Sequence, residues 1–109
     1  MEWAYLQNRH LIRVIDRWAY ELWEVGKYEE ALEIFRNLLK TNPGDNIGAR
    51  YSILALKMGL DTSYEEQFKS SHIEGYLDGI KISNWFEENS KRFPEEFSWW
   101  WNEMDKREY

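Results

Sequence analysis

Between residues 2 and 25 no glycine or proline interrupts the chain, and Trp3, Leu6, Leu11, Ile15, Trp18, Leu22 and Val25 recur every three to five positions. That spacing lays them along one broad stripe and predicts a long helix, with a bend expected around residues 8–10. Gly26 supplies the permissive backbone of a helix stop, and Lys27 begins a connection so short that the next helix must run back antiparallel. In that second helix Tyr28, Ala31, Leu32, Phe35, Leu38 and Leu39 form an apolar face, while Glu29, Glu30, Glu33, Arg36 and Lys40 are left for water. Its acidic residues come first and Lys40 last, the order that the helix dipole favours. Asn42-Pro43-Gly44-Asp45 ends it and opens another helix, with Asp45 as the expected N-cap.

The third helix is expected over residues 46–58, with Gly59 as its stop. It is apolar on two faces: Ala49, Ile53 and Leu56 on one, and Ile47, Tyr51, Leu54 and Met58 on the other. A helix greasy on two sides must be sandwiched. Gly59 follows Gly26 by 33 residues, and Tyr64-Glu65-Glu66-Gln67-Phe68 echoes Tyr28-Glu29-Glu30-Ala31-Leu32. The echo marks a second, degenerate repeat. It departs through an extra turn around Asp61 and Thr62, through Gln67 at a position that wants a small apolar residue, and through loss of helix over residues 70–79. Ser70-Ser71-His72, Gly75 and Gly79 make an irregular connection before helix resumes over residues 80–92, with Ile82, Trp85, Phe86 and Asn89 inward. Pro94 opens a last helix at its favoured first position. There Phe97, Trp100, Trp101 and Met104 share a stripe extended by Phe93. Trp99 sits about 100° from Trp100 and should be partly exposed.

At 109 residues the chain is one compact domain by size, and a 17% aromatic content exceeds what a small core needs. Charged residues make up 31%, enough for a folded globular chain with a wet surface. No cysteine is present, which removes disulfides, thiolate metal sites and thiol catalysis. The N-terminal ten residues contain no apolar run suited to a signal peptide or a membrane span, so a cytoplasmic, non-membrane protein is expected. The net charge of -6 is lopsided: residues 1–60 carry eight basic and eight acidic side chains, residues 61–109 six and twelve. An acidic second half argues against nonspecific nucleic-acid or anionic-membrane binding, which needs a basic face.

The second helix matches the tetratricopeptide pattern W-x2-L-G-x2-Y, A-x3-F, P with a period of about 34: Ala31, Phe35 and Pro43 hold the expected spacing. The first helix keeps only the residue classes, large-large-small-large, at Ile15, Trp18, Ala19 and Leu22. The chain thus resembles the tetratricopeptide repeat family, closely over residues 12–45 and more weakly to residue 68. The resemblance implies an all-α fold: a short superhelix of antiparallel helical hairpins, in one domain over residues 1–109. Residues 2–45 form the first hairpin, 46–79 the degenerate second, and 80–109 two aromatic-rich capping helices.

The family binds peptides or proteins on the concave surface made by the first helix of each pair. By register that surface takes Arg13, Asp16, Arg17, Tyr20 and Trp23, then Ile47, Arg50, Leu54 and Lys57. Arg9, Arg13 and Arg17 stand four apart, which suits acidic groups or a terminal carboxylate. The lysine and asparagine arrangement by which some members hold a peptide's terminal carboxylate is not reproduced, because Asp16 and Tyr20 stand in two of those places. Chaperone binding by that mode is not expected. The expected function is a non-catalytic interaction module or scaffold for a protein or peptide partner, an acidic one by charge. Trp99 is an additional contact residue. The alternative is a small structural subunit that self-associates through its Trp-rich C-terminal helix.

Blander readings stand beside these. The arginines either pair with the chain's own acidic second half or lie on a solvated helix face, where ion pairs contribute at most about 1 kcal/mol. The C-terminal tryptophans read as a core cap, a protein interface, or a platform for sugars or bases. No catalytic, cofactor or metal site is expected. His10 and His72 are the only histidines, and neither a glycine-rich phosphate loop nor paired histidines at zinc spacing occur. His72 with Glu74 and Asp78 can be drawn as a metal site but reads as solvated. Glu87-Glu88 and Glu95-Glu96 diverge on their helices and read as surface.

Overall fold

A computed structural model describes residues 9–41, 48–69 and 78–107. The elements are α1 (Arg9–Glu24), α2 (Tyr28–Thr41), α3 (Ala49–Lys57), a 3-10 helix (Thr62–Phe68), α4 (Gly79–Ser90) and α5 (Pro94–Arg107). The described residues are all-α. The chain divides into two compact units, Met1–Thr62 and Ser63–Tyr109. The expected start of the first helix at residue 2, the Asp45 cap and the connection over residues 70–77 lie outside the described residues.

In the first unit α1 and α2 form the expected antiparallel hairpin, and α3 packs on α2. The face that α1 buries is Ile12, Ile15, Ala19 and Trp23, at spacings of three, four and four. This corrects the expected stripe. Leu11, Val14, Trp18 and Val25 are 39%, 51%, 51% and 70% exposed, and Leu22 is half-buried. The physical reason is width: apolar residues cover about half of the circumference of α1, more than one neighbouring helix can hide. α2 instead buries Ala31, Leu32, Ile34, Phe35, Leu38 and Leu39, because it lies between two helices, and only Tyr28 of its expected apolar face, in the first turn, is left 57% exposed. Ala19 and Ala31 are fully buried, and the absence of longer side chains there lets the hairpin backbones approach. Tyr20, Trp23 and Phe35 form an aromatic knot: Tyr20 stacks on Trp23 at 5.5 Å, and Phe35 meets both edge-on at 5.4 and 6.2 Å.

Both α1 and α3 end in the same way. Lys27 N–H donates to the Leu22 carbonyl (2.8 Å) and Gly26 N–H to that of Trp23 (3.0 Å). Leu60 N–H donates to the Ala55 carbonyl (2.9 Å) and Gly59 N–H to that of Leu56 (3.1 Å). These are two Schellman stops, each needing a left-handed residue, and Gly26 and Gly59 have φ of 87° and 76°. A Cβ at either would meet nothing within 4 Å, so replacement acts through backbone strain alone. Gly26→Ala and Gly59→Ala are each expected to lose about 1–2 kcal/mol, read as a lower urea midpoint. A neutral result at either position would mean that its stop is dispensable.

Burial reaches both faces of α3 in part: Ala49, Ser52, Ile53, Leu54 and Ala55 are inaccessible, while Leu56 on one face and Tyr51 and Met58 on the other are half-buried. Beyond Gly59 the echo of α2 does not produce an α-helix. Tyr64 and Phe68 are buried, Phe68 like its counterpart Leu32 and Tyr64 unlike the exposed Tyr28, and they sit on a seven-residue 3-10 helix. The Gln67 side-chain amide donates to the Tyr64 carbonyl (3.0 Å), the acceptor that Phe68 N–H would take in an α-helix. Gln67, already out of place in the repeat pattern, thereby helps to hold the tighter winding.

In the second unit the Asp78 carboxylate caps α4, accepting from Ile80 N–H (3.0 Å) and Lys81 N–H (3.1 Å). Helix therefore starts at Gly79, one residue before the expected Ile80, and it stops at Ser90. Phe86 is the hub: Phe97, Trp100 and Trp101 surround it at 5.1, 5.5 and 5.8 Å. Trp85, on the flank of α4, stacks on Tyr64 at 5.7 Å and leans on Phe68 at 5.2 Å. Pro94 occupies the first position of α5 as expected.

Candidate functional site

The residues that register assigns to the inner surface divide into two groups. Trp23 and Leu54 are core, 2% and 0% exposed, and offer nothing to a partner. Trp23 is further committed through its indole N–H, which donates to the Leu60 carbonyl at 3.2 Å. Register assigned both residues to the inner surface, but helix-to-helix contact closes over them. Ile47 lies outside the described residues.

The others remain accessible. Arg13 and Arg17 are exposed on α1, and Tyr20 is half-buried two turns beyond Arg13. On α3, Arg50 and Lys57 are half-buried and also two turns apart. One hydrogen bond joins the two helices at this level: the Tyr20 and Ser52 hydroxyls lie 2.8 Å apart. It satisfies the buried Ser52 hydroxyl and fixes α1 beside α3. The Arg50 guanidinium donates to the Tyr51 hydroxyl and lies 4.2 Å from that ring's centroid, which holds its planar head in place. Arg17 approaches Glu21 at 3.7 Å on a strongly exposed stretch, a contact that water and salt weaken. Arg13 and Arg17 thus accompany Tyr20 on α1, while Arg50 and Lys57 stand on α3 about 160° and 140° around its axis from Ser52; all four are able to meet carboxylates by charge-assisted hydrogen bonds.

Trp99 belongs to the second unit. It is half-buried, in line with its expected partial exposure, and Trp101 is half-buried too. Trp100 is buried against Phe86, and Trp101 donates its indole N–H to the Ser90 hydroxyl at 3.2 Å. The run of three tryptophans therefore works largely as core of its own unit.

A second surface of α1 was missed by the sequence reading, which assigned most of it to the core. Leu11, Val14, Trp18, Leu22 and Val25 line one side of the helix, and Trp18 lies about 160° around the axis from Tyr20. Since Tyr20 reaches Ser52 of α3, this apolar side faces away from α3. The signal was present in the sequence as an apolar arc too wide for one contact.

Among the described residues no three His, Asp or Glu side chains gather as a metal site, and no helix is long and apolar enough to cross a membrane. His72 and Glu74 lie outside those residues. In comparisons with known proteins the chain matches no family model, and no curated protein or solved structure is significantly similar to it.

Proposed function

We propose that this chain is a non-catalytic, tetratricopeptide-like interaction module that binds an acidic segment of a protein partner across α1 and α3. The observation that carries the reading is the Tyr20–Ser52 hydrogen bond, which sets side by side the two helices that begin successive hairpins in such an array. The matching Schellman stops at Gly26 and Gly59 support the same repeat organisation. Arg13, Arg17, Arg50 and Lys57 supply the charge, and the half-buried Tyr20 ring adds an apolar contact on the same helix as Arg13 and Arg17. Trp23 and Leu54 act from beneath, by fixing the helices that carry these side chains.

The test is titration with an acidic peptide, such as a short Asp/Glu-rich segment containing one aromatic residue, followed by calorimetry at low and moderate salt. Arg13→Glu/Arg50→Glu is expected to weaken binding by tenfold or more, about 1.4 kcal/mol, and added salt should weaken the wild type in the same direction. Helicity should be unchanged in the variant, because neither side chain is part of the core. Equal affinity in wild type and variant, or no binding of acidic peptides even at millimolar concentration, would remove the reading.

A further inference from the structure

The uncovered apolar side of α1 has an internal symmetry. Measured from Trp18, its members stand at −7 (Leu11), −4 (Val14), +4 (Leu22) and +7 (Val25). The pattern reads the same in both directions. A stripe of that kind is complementary to a reversed copy of itself: with two α1 helices antiparallel about an axis at Trp18, Leu11 meets the other chain's Val25 and Val14 meets its Leu22. Each apolar residue then finds an apolar counterpart over about 21 Å of helix.

The charges on the same helix choose the direction. Arg17 and Glu21, both exposed, flank the stripe about 100° and 60° around the axis from Trp18, whereas Arg13 and Glu24 lie toward the Tyr20 side. Antiparallel pairing brings this flank of one copy against the same flank of the other, with Arg17 about 3 Å along the axis from the other chain's Glu21, whereas in a parallel pair the two flanks lie on opposite sides of the contact. Near the axis, each Arg17 keeps Glu21 of its own helix 3.7 Å away, which neutralises the approach of the two arginines.

We infer that α1 is the contact of a two-fold symmetric homodimer, in which a second copy of this chain covers Leu11, Val14, Trp18, Leu22 and Val25, with Trp18 at the axis. Such an isologous contact needs one self-complementary patch and nothing else. Its modest size suits a reversible dimer, dissociating at roughly 10–100 μM. It uses the side of α1 opposite Tyr20 and shares only Arg17, at its flank, with the residues proposed for peptide binding.

Sedimentation of the full chain across a concentration series tests this. Wild type is expected to pass from one chain mass to two. Trp18→Glu, which places two carboxylates at the axis without touching the core, should weaken dimerisation by about 30-fold or more while leaving helicity and acidic-peptide binding as they were. Because the chain has no cysteine, direction can be read by cross-linking. Val14→Cys and Leu22→Cys should form a mixed disulfide dimer under mild oxidation. Val14→Cys alone should not, because its two copies lie about 12 Å apart along the axis. A wild type that stays monomeric to about 0.5 mM would overturn the inference. So would a dimer unmoved by Trp18→Glu, or Val14→Cys linking efficiently to itself.

Discussion

Trp23→Ala is expected to remove about 3–5 kcal/mol of stability, most of what a domain of this size has available. Three losses coincide at that position. The indole fills the junction between Tyr20 and Phe35, so truncation leaves a cavity bounded by two rings that rotamer changes cannot close. The apolar surface of the largest side chain is returned to water on unfolding without its former gain on folding. The Leu60 carbonyl also loses the donor that ties the end of α1 to the stop of α3.

Trp18→Ala, five residues earlier on the same helix, is the control. Half of that side chain already meets water, so the expected cost in the monomer is below about 1 kcal/mol. Urea unfolding followed by far-UV circular dichroism separates the two, with a midpoint lowered by more than about 1 M for Trp23→Ala and nearly unmoved for Trp18→Ala. Comparable shifts would mean that the assignment of inner and outer faces on α1 is wrong. Trp23→Phe refines the result: it keeps most of the packing and loses the indole donor, so an intermediate cost of about 1–2 kcal/mol is expected.

Phe86→Ala carries the second large effect, again about 3–5 kcal/mol. Phe86 is 2% exposed and touches Phe97, Trp100 and Trp101 together. Without it the aromatic face of α5 has no common surface to rest on, and the edge-to-face contacts disappear with the area. Near-UV circular dichroism should lose much of its aromatic signal at temperatures where far-UV helicity still persists, because tryptophan side chains lose a fixed environment before backbone helix melts. Trp99→Ala, at the half-exposed position beside that cluster, should leave both spectra close to those of the wild type. If Phe86→Ala were as mild as Trp99→Ala, the cluster would be a surface patch and not a core.

The elements most legible in the sequence were those whose signals are local. α2 was readable to within a residue because its apolar positions, its leading glutamates and the glycine before it agree. The glycine stops after α1 and α3 were readable because only a left-handed residue closes a helix in that way. The packing of α3 on α2 followed from its apolar Ala49 and Ile53. Partial exposure of Trp99 followed from helical geometry, since three successive positions sweep about 200°.

The misplaced assignments share one cause. Periodicity located the apolar residues of α1 but not which of them a neighbour covers; Trp18 and Trp23 are both large and apolar, and the sequence ranked Trp18 as core and Trp23 as contact surface. Their order was reversed by how α2 and α3 approach α1. Likewise Tyr64 and Phe68 were recognisable as inward residues, but a side-chain bond from Gln67 to the Tyr64 carbonyl favours 3-10 winding over α.

By itself, then, the sequence determined an all-helical chain, the hairpin of α1 and α2, the places where helices stop, and an aromatic C-terminal core. These depend on period and backbone preference, both properties of neighbouring residues. Only the tertiary structure decided which half of the apolar arc of α1 is buried, that Tyr20 bonds to Ser52, and that Trp23 and Leu54 are closed over while Arg13, Arg17, Arg50 and Lys57 stay accessible. Those depend on residues some thirty positions apart, whose meeting is set by packing, and packing leaves no mark in the spacing of any one helix.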